Sequence, residues 1–324
     1  MTAWGSAVAL LLAVQPHVVL TFQDERIAES SALVDGGDVV YTINDSGDSA
    51  RVFAVAKGSG ETVGVTTYSD DDVVDVEALA PGPDGDLWVG DIGDNNHVRD
   101  HLTLYRIPRP GVGDTNVEAQ VYELVYADGP RDAETLLVHP RTGRVYLVSK
   151  GILGGTVYVA PPQLRTDRTN VLRPVGSTGG LVTDGVFLRD GKHVLLRNYG
   201  SATVLRTQDF TPVATFPLPA QPQGEGIGIS GHTVLVSTEG ARTAVRALPL
   251  PQRVVRLLDG TPTASASPVP GPGPGPVPGA APDDAGKADG PWGGNVVPLA
   301  LGAAWVVLLV LGIRAFRRRS RHTP

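Results

Sequence analysis

The chain has 324 residues, a formal net charge of −7, 40 glycines, 27 prolines and no cysteine. The lack of cysteine excludes thiol catalysis, Cys-ligated zinc and disulfides. An acidic chain with no basic stripe over its central part is not built to bind nucleic acid. Abundant glycine and proline without long helical patterns favour many short strands and turns.

In chain order, residues 1–16 read as a signal-like segment. Ala7–Val14 ("AVALLLAV") supplies an apolar stretch followed by small residues, although no Lys or Arg precedes it. Residues 17–258 then repeat themselves. Five times an acidic residue opens a short apolar run, a turn follows, and a second β-rich run closes on small polar residues and glycine. The units start at Glu29, Glu77, Glu134, Asp184 and Glu225, spaced 48, 57, 50 and 41 residues apart. Turns such as Pro83-Asp84-Gly85, Arg141-Thr142-Gly143 and Arg189-Asp190-Gly191 have hairpin chemistry. Third strands follow at Ala50–Ala56, Leu102–Ile107, Thr156–Ala160, Thr203–Thr207 and Ala244–Leu248, with fourth strands in most units (Val63–Tyr68, Val121–Tyr126, Val213–Phe216).

Four strands at this period predict an all-β, five-bladed β-propeller. Six blades is the alternative if the 57-residue unit hides another. The fifth unit's continuation, Val254–Leu258, is short, so His17–Phe22 ("HVVLTF") is available as its outer strand and would close the ring, leaving no open sheet edge.

Residues 259–295 form a Pro/Gly-rich linker ("PVPGPGPGPVPG") that cannot pack a core. At ~3.1 Å per residue it would hold the propeller on the order of 100 Å from its anchor. Residues 296–313 carry no charge over 18 positions, the length of a transmembrane helix. Residues 314–324 form a basic tail with Arg314, Arg317, Arg318, Arg319 and Arg321. The positive-inside rule puts that tail in the cytoplasm and the propeller outside, in a single-pass cell-membrane protein whose extracellular ligand, small molecule or protein, the sequence does not name.

In each unit the first two strands are antiparallel, so the opening acid lies beside the end of the second strand. This places Glu29 near Asn44 and Asp45, Glu77 near Asp91, Glu134 near Ser149 and Lys150, Asp184 near Arg197 and Asn198, and Glu225 near Thr238 and Glu239. Asp75 and Asp132 add a carboxylate two residues before Glu77 and Glu134. In a propeller the first strands line the central channel, so these groups converge on one face. Like charges there raise one another's pKa values. Lys150 and Arg197 relieve part of the repulsion, and a Ca²⁺ or other divalent cation with hard oxygen ligands would relieve more.

The candidate metal ligands are Glu29, Asp45, Glu77, Asp91, Asp94, Glu134, Asp184 and Glu225. Two roles compete for them. Recurrence in every unit favours carboxylates that accept backbone hydrogen bonds from the next blade, above all for Glu134, Asp184 and Glu225. Carboxylate density favours ligand binding for Asp45, Glu77, Asp91 and Asp94. The loop "DIGDNN" (91–96) lacks the order of an EF-hand. His97, Lys150 and Arg197 are the candidate catalytic groups, His97 as a general base just past an acid-bearing strand end. His139, His193 and His232 fall at turns on the opposite face. No G-x-S-x-G, Walker or dinucleotide glycine motif occurs.

The segments "NDSG", "DVEALAPGP", "LWVGDIGDN", "LYRIPRP" and "DAETLLVHPRTGRVYLVSK" resemble a family of exported, membrane-anchored bacterial propeller proteins, often actinobacterial. The similarity covers residues 29–150 and fades through the last two units. More distantly, the openings Glu225-Gly226-Ile227 and Asp184-Gly185-Val186 are similar to phytase-like esterase and gluconolactonase-type propellers. The resemblance implies channel-face carboxylates holding a divalent metal that activates water or a lactone carbonyl, with Glu29, Asp91 and Glu225 as ligands. This chain departs from that pattern by setting Lys150 and Arg197 in the ring. Two functions follow: a cell-surface binding or scaffold module with or without a cation, or a metal-dependent hydrolase of a phosphoester or lactone.

Overall fold

The computed structural model describes residues 15–45, 47–69 and 73–260. The expected signal segment up to residue 14, the linker beyond residue 260, the transmembrane stretch and the basic tail lie outside the described residues. Among the described residues no helix is long and apolar enough to cross a membrane.

Strand β1 (His17–Thr21) is followed by β2 (Ser30–Asp35), β3 (Val39–Asn44), β4 (Arg51–Ala56) and β5 (Thr62–Thr67). Next come β6 (Val76–Pro81), β7 (Leu87–Asp91), β8 (Leu102–Ile107), the two-residue β9 (Thr115–Asn116) and β10 (Gln120–Tyr126). The third group is β11 (Ala133–Val138), β12 (Val145–Ser149), β13 (Thr156–Val159) and β14 (Asn170–Ser177). The fourth is β15 (Asp184–Phe187), β16 (His193–Arg197), β17 (Ser201–Arg206) and β18 (Pro212–Pro217). The last strands are β19 (Ile227–Ser230), β20 (Thr233–Val236) and β21 (Ala244–Pro249), before helix α1 (Gln252–Leu258). Val254–Leu258 is thus helical, and Val254 buries against the fourth and last groups.

The architecture is all-β and propeller-like. Each group is an antiparallel meander, and β1 pairs with β21 (His17↔Ala247, Thr21↔Ala244), so the chain's start completes its last sheet. First strands neighbour one another in a cycle: β2 with β6, β6 with β11, β11 with β15, β15 with β19, and β19 with β2. The outer strands β10 and β14 also pair in parallel at Leu124–Tyr126, which joins two groups into one eight-stranded sheet.

The core has the same cyclic form. Apolar side chains on both faces of each sheet bury against the sheets on either side. One cluster, with Ile43, Val52, Leu79 and Val89, lies between the first and second groups. Another, with Trp88, Leu104, Leu136 and Leu147, lies between the second and third. Val148, Val157, Phe187 and Val194 fill the next space, and Val204, Phe216, Ile227 and Val234 the one after. The last cluster, with Leu20, Leu235, Leu33 and Phe53, joins the final group to the first. Each fully buried side chain of this kind contributes about 1.5–3 kcal/mol, so the cyclic packing is the principal source of stability.

The 57-residue spacing between Glu77 and Glu134 has a specific cause. The β8–β10 connection leaves its own sheet and lays β9 beside β5 of the first group (Thr66↔Thr115, Thr67↔Asn116). The extra length is an excursion onto a neighbouring sheet.

Candidate functional site: a carboxylate hub

The first strands β2, β6 and β11 share an irregularity at their starts. Register shifts fall between Ser30 and Ala32, between Val76 and Ala78, and between Ala133 and Thr135. The bulged residues are therefore Ser31, Glu77 and Glu134, and a bulge turns a side chain out of the regular alternation. Three backbone bonds confirm the register: Asp45 N to Glu29 O (2.9 Å), Gly93 N to Asp75 O (3.0 Å) and Lys150 N to Asp132 O (2.8 Å).

These bonds correct the alignment drawn from sequence. Glu29 corresponds to Asp75 and Asp132, and Ser31 holds the position of Glu77 and Glu134. In the same way Thr183 rather than Asp184 takes that position in the fourth group. Ser31 Oγ donates to the Glu77 carbonyl (2.7 Å), and Thr183 Oγ1 donates to the Glu225 carbonyl (3.2 Å). The inner ring is three glutamates and two hydroxyls, where the spacing alone suggested five acids.

Asp45, Asp75 and Glu77 converge, each offering a carboxylate oxygen within 4.8 Å of the others. Gly93 makes room for them. A Cβ on Gly93 would lie 2.4 Å from Asp75 Oδ2 and 2.8 Å from Glu77 Oε1. Glu77 is 2% exposed, and its carboxylate lies among those of Asp45, Asp75 and Glu134. Burial, followed by the charges of Asp45, Glu134 and Asp75, pushes its pKa well above the ordinary glutamate value, with only Lys150 opposing.

Across the hub, Lys150 Nζ is hydrogen-bonded to Glu134 Oε1. Burial works against its charge, but Glu134, Glu77 and Glu225 together hold the ammonium above its usual range. Burial and the neighbouring Glu239 push Glu225 up to about 7, with Lys150 and Arg197 pulling the other way. The Tyr199 hydroxyl stands 3.5 Å from Glu225 Oε1.

Three other expected ligands, Asp91, Asp94 and Asp184, accept hydrogen bonds from neighbouring donors. Asp91 accepts from the amides of Asp75 (2.9 Å) and Val74 (3.0 Å) and from Arg99 Nη1 (2.7 Å). Asp94 accepts from the amides of Val98 and Arg99, while its own amide donates to Asp132 Oδ1 in the next group. Asp184 bridges two groups, accepting from Ile227 N and Gly185 N, both at 2.7 Å. Glu29 is half-buried, with its amide donating to Asn44 Oδ1.

Of the candidate catalytic groups, Lys150 alone belongs to the hub cluster. Arg197 is fully buried and donates to the carbonyls of Gly226 (2.7 Å) and Ser237 (3.0 Å) and to Gln221 Oε1 (2.8 Å). Burial pulls it down to about 10, so it stays charged at neutral pH. It ties β16 to the last group. His97 is exposed, with φ 55° and its Nδ1 3.3 Å from the Pro130 carbonyl. His193, expected at a solvated turn, is instead buried, with Nδ1 2.6 Å from Asp190 Oδ2.

No family model matches the chain, and no curated protein matches it. Among solved structures it is similar to a protein described as a gluconolactonase, at 10% identity and a TM-score of 0.41, over 74% of this chain and 94% of that one.

Asp75 is legible in the sequence as a second carboxylate two residues before Glu77, though it stands outside the expected ligands, and two other participants are not legible. Gly93 and Tyr199 follow strand ends in "DIGD" and "RNYG", where nothing local distinguishes them from ordinary turn residues.

Proposed function

We propose that this chain is an exported, membrane-tethered five-bladed propeller whose hub face binds a divalent cation and serves as a cell-surface binding module. The five meanders, their cyclic neighbours and the completion of the last sheet by β1 support the blade count. The apolar stretch at 296–313 with its basic flank supports the anchor.

The observation that carries the cation is Glu77. A buried carboxylate crowded by Asp45 and Asp75 must either keep a proton or share a cation with them, because like charges packed out of water are costly. All-oxygen ligands of this kind suit Ca²⁺ or Mg²⁺. Thermal unfolding of the purified chain, with and without Ca²⁺ or Mg²⁺ at pH 7.5, tests it. Saturating cation should raise stability by about 2–3 kcal/mol at a hundred-fold excess over Kd. Glu77→Gln and Asp45→Asn should remove that gain while staying folded. No shift with any divalent cation defeats this reading.

One observation favours the hydrolase reading. Glu225, pushed up to about 7, is poised where a general base works best, and it sits beside Tyr199 and within reach of the charge on Asp45. That reading requires cation-dependent turnover of a phosphoester or lactone, lost in Glu225→Gln while cation binding persists.

A further inference from the structure

A cleft lies between the β1–β2 connection, strands β4 and β5 and the β9 excursion. It has a volume of about 360 Å³, at the small end of ligand sites. The β9 excursion supplies one wall. Arg51 opens β4 opposite Thr67, and Thr67 is registered with Asn116, so three polar residues stand abreast across β4, β5 and β9. Arg26, from the β1–β2 connection, and Asp114 complete the lining.

The excursion is clamped to its neighbour. Tyr41 Oη donates to the Pro110 carbonyl (2.8 Å) and Arg109 Nη2 to the Gly36 carbonyl (2.6 Å). Gly113 N donates to Val63 O (2.8 Å), and Val65 N to Asp114 Oδ1 (3.1 Å). The approach is so close that a Cβ on Gly64 would lie 2.6 Å from the Gly111 carbonyl oxygen. The meander needs none of these residues, since four strands pair without them.

The two arginines are held rigidly. Arg51 lies 4.9 Å and Arg26 5.7 Å from the Phe53 ring centroid. Asp48 pairs with Arg51 (2.5 Å), and Asp24 clasps Arg26 through two nitrogens (2.7 and 3.0 Å). Partly exposed ion pairs of this type return modest stability for the rotamer entropy they cost. Fixed forks of donors beside fixed acceptors are what a polar ligand uses, because the ordering is complete before it arrives.

The charge balance selects the ligand class. Arg26 and Arg51 face Asp24, Asp48 and Asp114, so each guanidinium is already neutralised and an anion meets excess negative charge. Asp24 and Asp48 are occupied, which leaves a metal ion too few free oxygens. Val65 is the one aliphatic side chain in the lining, so an apolar body finds no partner. A neutral polyol fits, since each hydroxyl both donates and accepts, as the mixed lining of amide, guanidinium, carboxylate and hydroxyl groups requires.

We propose that the cleft between the β1–β2 connection and the β9 excursion binds a neutral saccharide through Arg51, Thr67, Asp114 and Asn116, independently of the hub.

The test screens the full chain in detergent against immobilised neutral, uronic and sulfated oligosaccharides, then measures the best neutral binder by calorimetry. Binding to neutral members is expected, weakened at least ten-fold by Asn116→Ala and by Arg51→Lys, which keeps the charge but loses the fork. Glu77→Gln should leave it unchanged. Asn116→Trp, an exposed change that fills the cleft without touching the core, should abolish binding with an unaltered melting temperature. No retention of any neutral oligosaccharide at millimolar concentration overturns the proposal. So does exclusive binding of anionic sugars, or binding indifferent to both Asn116 variants.

Discussion

The two sides of the hub solve the same electrostatic problem differently. Around the third, fourth and last groups, buried charge meets a built-in partner. Lys150 sits on Glu134, Asp184 takes two amides, and Arg197 takes two carbonyls and an amide oxygen. Between the first and second groups, Asp45, Asp75 and Glu77 bring three carboxylates within 4.8 Å of one another, with Gly93 giving them room. Opposite charges and amides hold one set of carboxylates in place, whereas the trio sets like charges side by side, and that crowding is the physical basis for proposing a cation there.

Substitutions break this contrast most strongly where charge is already satisfied. Arg197→Ala strips donors from the Gly226 and Ser237 carbonyls and empties a fully buried volume. It should cost about 4 kcal/mol or more in urea-unfolding experiments, without altering cation binding per folded molecule. Lys150→Met leaves Glu134 buried without its ammonium and should destabilise the chain by about 3 kcal/mol at pH 7.5. The deficit should shrink at pH 5 as the carboxylate takes up a proton.

The pH dependence sharpens the comparison. Glu225 has a folded pKa raised to about 7 over an ordinary value of 4.5. The folded state therefore binds the proton more tightly than the unfolded state. Its contribution is fully present below pH 4.5 and is lost as pH rises through about 7, while Glu77 extends the same trend upward. Without added cation, stability should fall by a few kcal/mol between pH 5 and pH 8. Saturating Ca²⁺ should flatten the part due to the trio, and Glu225→Gln the part due to Glu225.

Smaller effects belong to the strained side. Gly93→Ala forces a methyl against Asp75 and Glu77 and should cost about 1–3 kcal/mol while weakening cation binding. Glu77→Gln should have the opposite sign, stabilising the cation-free chain by about 1 kcal/mol at pH 8, because the amide is neutral without having to take up a proton. A destabilising Glu77→Gln in the absence of cation would show that the trio is not under repulsion.

The recurring units, the hairpins and the availability of His17–Phe22 as a closing strand were all legible, because alternation and turn chemistry are local. The face on which the acids gather was legible too, since antiparallel pairing forces strand starts beside strand ends. What failed was the alignment of the units. Counting from the acids equated Glu29 with Glu77 and Asp184 with Glu225. The bulges at Ser31, Glu77 and Glu134 shift each strand by a residue, and no sequence rule announces a bulge. The donors that meet Asp91 and Asp94 were not legible either, since Arg99 reaches Asp91 by its side chain and Asp94 by its amide across a loop.

From its residues alone, this chain's β-rich class, its repeating organisation and its stock of hub carboxylates were determined, because these depend on composition and on patterns a few residues long. The tertiary structure decided which carboxylates are neutralised and which repel. It also carried the surplus between Glu77 and Glu134 onto the first sheet to wall a cleft. Both outcomes turn on distances between groups separated by tens of residues, and at a few ångströms, a shift of one position decides whether a carboxylate meets an amide, an ammonium or another carboxylate.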